Sequence, residues 1–175
     1  MIFKLIKSGI RGNLIKWLHN FFLDRKIKVL ADGQISNSVH ISAGTPQGAI
    51  LSPLLFNLMM IDIPQSEHVQ LYIYADDITA SCSGRDPHLV VQRLQSYLND
   101  ITKWADKWGL LINPQKSVVQ HFTKRKIDCP VTRIKGIAMP YKKEQKLLGL
   151  HLDSPCLRFR THITELKKDL SLIHI

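Results

Sequence analysis

The chain has 175 residues, of which 45% are hydrophobic and 22% are charged. This length and composition are typical of one globular domain and exclude a fibrous or largely disordered chain. Lys and Arg outnumber Asp and Glu by 24 to 14, and the net charge of +10 favours a polyanionic partner, nucleic acid before an anionic membrane. A basic surface that serves only solubility is the alternative.

Membrane, disulfide and zinc chemistry all lack a clear sequence signal. The three cysteines lie far apart and form no Cys-x-x-Cys pair, which favours a reducing compartment. The longest apolar run, residues 49–61, is too short to cross a bilayer, and the first residues lack the apolar core of a signal peptide. We therefore expect a soluble, intracellular protein without a membrane partner, in the cytoplasm or the nucleus.

Two helices and a hairpin are predicted at the start of the chain. Residues 1–10 and an apolar stripe that begins at Leu14 have helical spacing, and Asn13 is predicted to cap the second helix. Residues 26–30 and 35–41 are predicted strands, and the Asp-Gly pair between them is a strong hairpin signal.

A Gly-Thr-Pro-Gln-Gly loop, residues 44–48, precedes a predicted buried helix over residues 49–61. Two glycines around a Thr-Pro turn let the backbone pass close to a bulky group, because no Cβ stands in the way. A tight connection from strand to helix is the alternative interpretation.

Residues 69–82 alternate apolar and polar side chains with the period of a strand on both sides of Asp76 and Asp77. This pattern predicts a β-hairpin with the two acidic residues at its turn. Two adjacent carboxylates repel each other, and a bound divalent cation would relieve the repulsion. Asp is also a common turn residue without any further role.

A long amphipathic helix is predicted next. Asp86 is a capping residue, Pro87 suits the first helical position, and the apolar stripe continues until Gly109. Beyond it we expect a turn followed by an apolar strand through Phe122.

The last third of the chain is basic and rich in turns. Residues 124–143 predict short strands and loops that contact a nucleic-acid backbone, although a merely solvated region is a fair alternative. Residues 146–153 predict a strand that ends in a turn at Ser154-Pro155. Residues 161–174 predict a final helix.

The sequence Tyr-Ala-Asp-Asp in a hairpin, after the Gly-Thr-Pro-Gln-Gly loop and before the long helix, resembles the palm of a reverse transcriptase. The resemblance is greatest to the enzymes of non-LTR (LINE-type, jockey-like) retrotransposons. It implies an α+β fold, a polymerase palm with an antiparallel sheet and helices packed on one face. Residues 1–160 would form a partial palm with a primer-grip-like hairpin at about 145–159, and residues 161–175 would begin a thumb.

The resemblance also implies RNA-directed DNA polymerase activity by a two-metal mechanism, with RNA template, DNA primer and deoxynucleoside triphosphates as partners. Asp76 and Asp77 would be catalytic and would bind Mg²⁺ (or Mn²⁺). Lys116 would lie near the triphosphate, as a general acid or as an attractive charge; a solvated lysine is the alternative.

The remaining site residues are implied in the same way. Gln47 and Gly48 would lie against the incoming nucleotide and its templating base. Tyr74 and Ala75 would shape the floor under the primer. Leu148 and Gly149, in the primer-grip-like hairpin, would position the primer end.

One feature of the family has no match in this sequence. Reverse transcriptases use a further Asp on a neighbouring strand, followed by an Ala-Phe-Asp-like run, whereas Asp24, Asp32 and Asp62 stand in the wrong order or context. We therefore expect a C-terminal palm fragment, truncated on its N-terminal side, without the fingers and inactive alone. A non-catalytic nucleic-acid-binding module and a decayed element without function are the alternatives.

Overall fold

The computed structural model describes residues 1–46, 48–125 and 130–172, without the side chains of residues 168–172. Its contacts divide the chain into two compact units. The first contains Met1–Ile63 and Ile73–Asp77, and the second contains Pro64–Tyr72 and Ile78–Ile175. The predicted Asp-Asp hairpin contributes residues to both.

Three helices form the core of the first unit: α1 (Ile2–Lys7), α2 (Asn13–Phe22) and α3 (Ser52–Met60). One apolar side chain from each helix is buried in a shared cluster, namely Leu5, Leu18 and Leu55. Lys4 on α1 is buried, and the Asp62 carboxylate balances its positive charge. The Lys4 Nζ lies 2.5 Å from Asp62 Oδ1 and also donates to the Met59 carbonyl. A buried ammonium needs such partners, because its desolvation is otherwise costly.

The predicted hairpin between α2 and α3 is present but interrupted. Strand β1 (Lys26–Ile27) pairs with β4 (Val39–His40), and β2 (Leu30–Ala31) pairs with β3 (Gln34–Ile35), all antiparallel. Between the two pairs, the Ser36 amide donates to the Val29 carbonyl at 2.9 Å, but the Val29 amide donates to the Ser36 hydroxyl and not to a backbone carbonyl.

The Asp-Gly turn of this hairpin has the predicted geometry. Asp32 and Gly33 have φ values of 49° and 76°, the left-handed pair that a two-residue hairpin turn requires.

Two predictions for the first unit are wrong. Asn13 is the first residue of α2 and does not cap it; Gly12 occupies the cap position, and no side-chain bond caps the helix. The helix predicted over residues 49–61 is present, but its bounds and its complete burial are wrong: α3 spans only Ser52–Met60 and buries one side, whereas Ile50 is 97% exposed and Leu54 is 56% exposed. A run that is apolar on all sides carries no signal for which side will be covered.

The central hairpin is confirmed, but its turn lies one residue earlier than predicted. Strand β5 (Gln70–Tyr74) and strand β6 (Asp77–Ser81) pair with each other. The turn consists of Ala75 and Asp76, so that Asp77 is already the first strand residue. Ala75 has a φ of 50°, an unusual conformation for a residue other than glycine, asparagine or aspartate.

Helix α4 (Pro87–Trp108) organises the second unit and begins and ends as predicted. An Asp86 carboxylate oxygen accepts the His88 amide at 3.0 Å, and Gly109 ends the helix with a φ of 69°. The buried Tyr97 donates its hydroxyl to the Pro64 carbonyl at 2.8 Å, and its burial raises the pKa of the phenol. The apolar residues packed around it include Val69, Leu71, Ala80 and Ile101.

The short strands predicted over residues 124–143 are confirmed in part. Strand β7 (Arg133–Ile134) pairs with β8 (Ile137–Ala138), while residues 126–129 lie outside the described residues. The Gln95 side chain on α4 fixes β7: its amide nitrogen donates to the Arg133 carbonyl at 2.8 Å, and its oxygen accepts the Arg133 amide at 2.7 Å. The β7–β8 hairpin is therefore tied to α4 by two hydrogen bonds between a side chain and the backbone.

The strand predicted through Phe122 is wrong. Within described residues 110–125, pairing is limited to a single parallel bridge between Val119 and Tyr141. An apolar run can form a strand only where a second strand is available for pairing, and the sequence does not reveal that.

The single strand predicted over residues 146–153 is also wrong. Strands β9 (Glu144–Leu147) and β10 (Leu150–Asp153) form an antiparallel hairpin here. Its turn is Leu148-Gly149, with φ values of 47° and 86°. Helix α5 (Arg160–Leu172) follows, confirming the predicted final helix up to residue 172; residues 173–175 lie outside the described part.

The α+β class is confirmed, since helices and small antiparallel pairs make up the described chain. The predicted single sheet with helices on one face is not found there, because the ten described strands form five separate two-stranded pairs. Eight of the described strands lie in hairpins closed by tight turns, and four of these have only two residues, so each pairs with its neighbour in sequence and not within a larger sheet.

Two further findings concern covalent and membrane chemistry. Cys82 and Cys156 carry free thiols, and Cys129 lies outside the described residues. Among the described helices, none combines the length and the apolar character that a bilayer crossing would need.

Candidate active site

Asp76 lines a cleft in the first unit. The cleft has a volume of about 520 Å³, and its walls come from the turn of the central hairpin, from the loop after β4 and from the start of α3. Gly48, Ala75 and Asp76, three of the predicted site residues, line it together. Gln47 lies outside the described residues.

The loop wall has a fixed shape. Gly44 and Gly48 have φ values of 80° and 84°. Residues that have a Cβ adopt such values only with strain. The Ser52 hydroxyl donates to the Pro46 carbonyl, which also accepts the Ala49 amide at 3.4 Å. A Cβ placed on Gly48 would meet no atom within 4 Å, so the space beside this glycine is open.

The polar groups of the cleft include three that the sequence analysis did not single out as site residues. Thr45 lies in the loop, and Ser52 and Asn57 lie on α3. The sequence contains no clear signal for the last two, because they stand five positions apart on the helix and are not the i, i+3 or i, i+4 pair that shares one face.

The two central carboxylates differ in placement. Asp76 is a turn residue that lines the cleft, whereas Asp77 begins β6 and is not among the cleft residues. Both are exposed, as is Tyr74, the last residue of β5. Within the described residues neither carboxylate forms an ion pair.

These carboxylates fit a weakly held divalent cation. Mg²⁺ takes oxygen ligands and keeps several of its waters, so that one or two carboxylates are enough to bind it. The described part of the chain contains no cluster of three or more His, Cys, Asp and Glu side chains arranged for a metal ion. Any site at Asp76 built from this chain would therefore be open and rich in water.

The other acidic residues of the first unit have different surroundings. Asp62 is paired with the buried Lys4. Asp24 lies 3.6 Å from Lys26 and 3.4 Å from Nδ1 of His40. Asp32 occupies the turn of the β2–β3 hairpin.

The remaining predicted site residues belong to the second unit. Lys116 is exposed in a turn where the Asn113 side-chain oxygen accepts the Gln115 and Lys116 amides at 3.0 and 3.3 Å. Leu148 and Gly149 form the turn of the β9–β10 hairpin, and both are exposed. Their roles stay predictions.

Comparison with known proteins gives a consistent family. The model of the family described as reverse transcriptase (RNA-dependent DNA polymerase) matches residues 3–152. The chain is 35% identical to the RNA-directed DNA polymerase from mobile element jockey of Drosophila funebris, over 92% of this chain and 18% of the relative.

Two relatives from Drosophila melanogaster agree with this. The RNA-directed DNA polymerase from mobile element jockey is 31% identical over 85% of this chain and 17% of the relative. The probable RNA-directed DNA polymerase from transposon X-element is 31% identical over 94% of this chain and 19% of the relative. The chain thus spans less than a fifth of the length of these curated relatives.

Proposed function

Because the chain belongs to the reverse transcriptase (RNA-dependent DNA polymerase) family, we propose that it forms part of the palm of a retrotransposon RNA-directed DNA polymerase. The observation that carries this proposal is the cleft in which Asp76 and Ala75 lie together with Gly48. The substrates would be an RNA template, a DNA primer and deoxynucleoside triphosphates.

The reaction joins the primer 3′-hydroxyl to the α-phosphate of the incoming nucleotide and releases pyrophosphate. Positioning and charge stabilisation carry such a step, since little covalent chemistry falls to the protein. Asp76, with Asp77 beside it, would hold Mg²⁺ or Mn²⁺. When bound, these ions supply positive charge that stabilises the attacking and leaving oxygens.

The residues around Asp76 would position the nucleotide. The open space beside Gly48 gives a flat base room to approach the backbone, and Gln47 is proposed to act at the same place. Ser52 and Asn57 add polar groups to the wall. Tyr74 and Ala75 would lie under the primer, and Lys116 would attract the triphosphate.

The second unit would bind the template and primer. It contains 17 of the 24 Lys and Arg residues and 9 of the 14 Asp and Glu residues, a net charge of +8 out of +10. Phosphate neutralisation by such residues supplies most non-specific affinity for nucleic acid. The exposed turn of Leu148 and Gly149 is proposed to position the primer end.

The first test measures metal binding. Wild-type chain should bind Mn²⁺ weakly at Asp76, and Asp76→Asn should bind it more weakly, because one charged oxygen ligand is lost. Water-proton relaxation and calorimetry report the binding. Asp32→Asn, which alters another turn aspartate, is the matched control and should leave it unchanged. Equal binding by wild type and Asp76→Asn would contradict the proposed metal site.

The second test measures primer extension on an RNA template with Mg²⁺ or Mn²⁺. The 175-residue chain should not extend the primer, because two carboxylates without a third do not fix the ions, and loss of one catalytic group commonly costs several orders of magnitude in rate. A longer version that adds the upstream residues of a relative should extend it, and Asp76→Ala in that version should abolish extension.

The outcomes of the second test separate the candidate functions. Extension by the 175-residue chain that Asp76→Ala abolishes would refute only the proposed inactivity. Activity of the longer version that survives Asp76→Ala would refute the catalytic role of Asp76. The charge of the second unit also favours a non-catalytic nucleic-acid-binding module, for which binding, unaffected by Asp76→Ala, would be the only measurable property.

A further inference from the structure

Arg25 connects three segments of the first unit. It lies directly before β1, and its carbonyl accepts the Ile41 amide at 2.8 Å, which extends the β1–β4 pairing by one residue. Its side chain donates from Nε to the Phe22 carbonyl at 3.4 Å and from a terminal nitrogen to the Ala43 carbonyl at 3.2 Å. The guanidinium carbon also lies 5.9 Å from the centre of the Phe22 ring.

These contacts fix one end of the cleft loop. Phe22 is the last residue of α2, where carbonyls lack partners within the helix, and Ala43 lies between the end of β4 at His40 and the glycine loop. At the other end, the Ser52 hydroxyl donates to the Pro46 carbonyl. Residues 43–46 are thus held at both ends.

The loop in turn supplies one wall of the cleft. Thr45 and Gly48 line the cleft together with Asp76, whereas Arg25 does not line it. The connection between Arg25 and the cleft therefore runs through the backbone of the loop.

We propose that Arg25 is a positioning residue, which holds residues 43–46 at the distance from Asp76 that the cleft requires. The proposal rests on the proposed function of the cleft. It also accounts for the residue type, because a guanidinium has several donors in a rigid plane and can bond two carbonyls while its face packs on a ring. A lysine ammonium has the same charge, but it has neither a planar group that packs on a ring nor several donors at fixed positions.

The experiment compares Arg25→Lys with Arg11→Lys, a matched change at an exposed arginine between α1 and α2. Amide hydrogen exchange measured by NMR reports the loop through Ala49, whose amide bonds to the Pro46 carbonyl. Arg25→Lys should speed this exchange about tenfold, the change expected for one lost bond from a charged donor. The amides of α3 should be unaffected, and Arg11→Lys should change neither.

A second measurement tests the position of the loop relative to Asp76. Mn²⁺ added to the wild type should broaden the Gly44 and Gly48 amide signals, and Arg25→Lys should change that pattern while Arg11→Lys preserves it. Absence of broadening in the wild type would mean that the proposed metal site fails. The exchange at Ala49 then decides the role of Arg25 by itself.

Three results would overturn the proposal. The first is exchange at Ala49 that is the same in Arg25→Lys and the wild type. The second is equal acceleration at Ala49 and throughout α3, which would make Arg25 a general stability residue. The third is failure of both Arg25→Lys and Arg25→Gln to fold, which would place the role of Arg25 in folding and not in the cleft.

Discussion

At the scale of single residues, the turn of the central hairpin contains an unusual backbone conformation. Ala75 has a positive φ at the turn between Tyr74 and Asp76, a conformation that costs a residue with a Cβ roughly 1–2 kcal/mol. The flanking strands determine the turn length, and the alanine adopts the geometry that a two-residue hairpin needs. The turn that contains this strained residue also contains Asp76, and both residues line the cleft.

Ala75→Gly should therefore stabilise the folded chain by about 1 kcal/mol, because glycine adopts a positive φ without a clash. Ala80→Gly is the control; Ala80 lies in β6 and packs against the core of the second unit, so its replacement should destabilise. Urea unfolding of both variants measures the difference. Destabilisation by Ala75→Gly would show that the alanine side chain contributes more than its strained backbone costs.

At the scale of the elements, side chains hold helices and hairpins in place at their ends. Asp86 caps α4. Asp153, the last residue of β10, accepts the Arg158, Phe159 and Arg160 amides at 3.0, 2.8 and 3.3 Å. This carboxylate thereby joins the β9–β10 hairpin to the start of α5. Partial desolvation acts against its charge, but these backbone hydrogen bonds outweigh it and lower the pKa of Asp153.

Because the pKa of Asp153 is lowered in the folded state, the stability at the start of α5 should depend on pH. A carboxyl group with a lower pKa in the folded state contributes stability above its unfolded pKa of about 3.9, and the contribution is lost as the pH falls through the folded value. The start of α5 should loosen in acid, and hydrogen exchange at Arg160 and Ile163 between about pH 5 and pH 2 reports it.

Asp153→Asn should weaken the start of α5 at neutral pH and remove this acid transition, because the amide carries no charge to lose. Asp100→Asn, at an exposed position on α4, should leave the exchange at α5 unchanged. An acid transition of equal size in Asp153→Asn would mean that another group is responsible.

At the scale of the whole molecule, charge is distributed unevenly along the chain. Of the net charge of +10, the residues of the second unit account for +8 and those of the first unit for +2. Charge of this kind acts on nucleic acid without regard to sequence, because it is directed at phosphates. The acidic residues at the candidate site thus belong to the less basic unit.

Nucleic-acid binding by the chain should therefore depend steeply on salt and little on sequence. The logarithm of affinity should fall by roughly 0.7–0.9 per logarithmic unit of salt for each phosphate contacted. Replacing both Lys142 and Lys143 by Gln should reduce the slope by up to the contribution of two phosphate contacts. The same change at Lys7 and Lys16, in the first unit, is the control and should reduce it less. A slope near zero in the wild type would reject this view.

The candidate site could be predicted from the sequence only in part. The alternation around the Asp-Asp pair predicted the hairpin that carries Asp76, and the resemblance to reverse transcriptases implied site roles for Ala75 and Gly48; these three residues line one cleft. The catalytic and binding roles of all the predicted site residues stay predictions. Ser52 and Asn57 were not recognised as cleft residues, because the cleft combines segments that lie far apart in the sequence.

The sequence alone determined the elements whose signals are local. Helix α4 has its cap at Asp86 and its end at Gly109, and the Asp-Gly turn and the central hairpin formed where their residues predicted. Each depends on the conformational preference of a few neighbouring residues, together with a clear period of apolar positions.

Only the tertiary structure decided which apolar residues are covered and which strands find a partner. Within residues 49–61, Leu55 is buried while Leu54 is exposed, and the apolar segment up to Phe122 forms no more than one bridge in its described part. The physical reason is the same in both cases. Burial and β-pairing depend on surfaces that distant segments supply, and a local pattern contains no information about those surfaces.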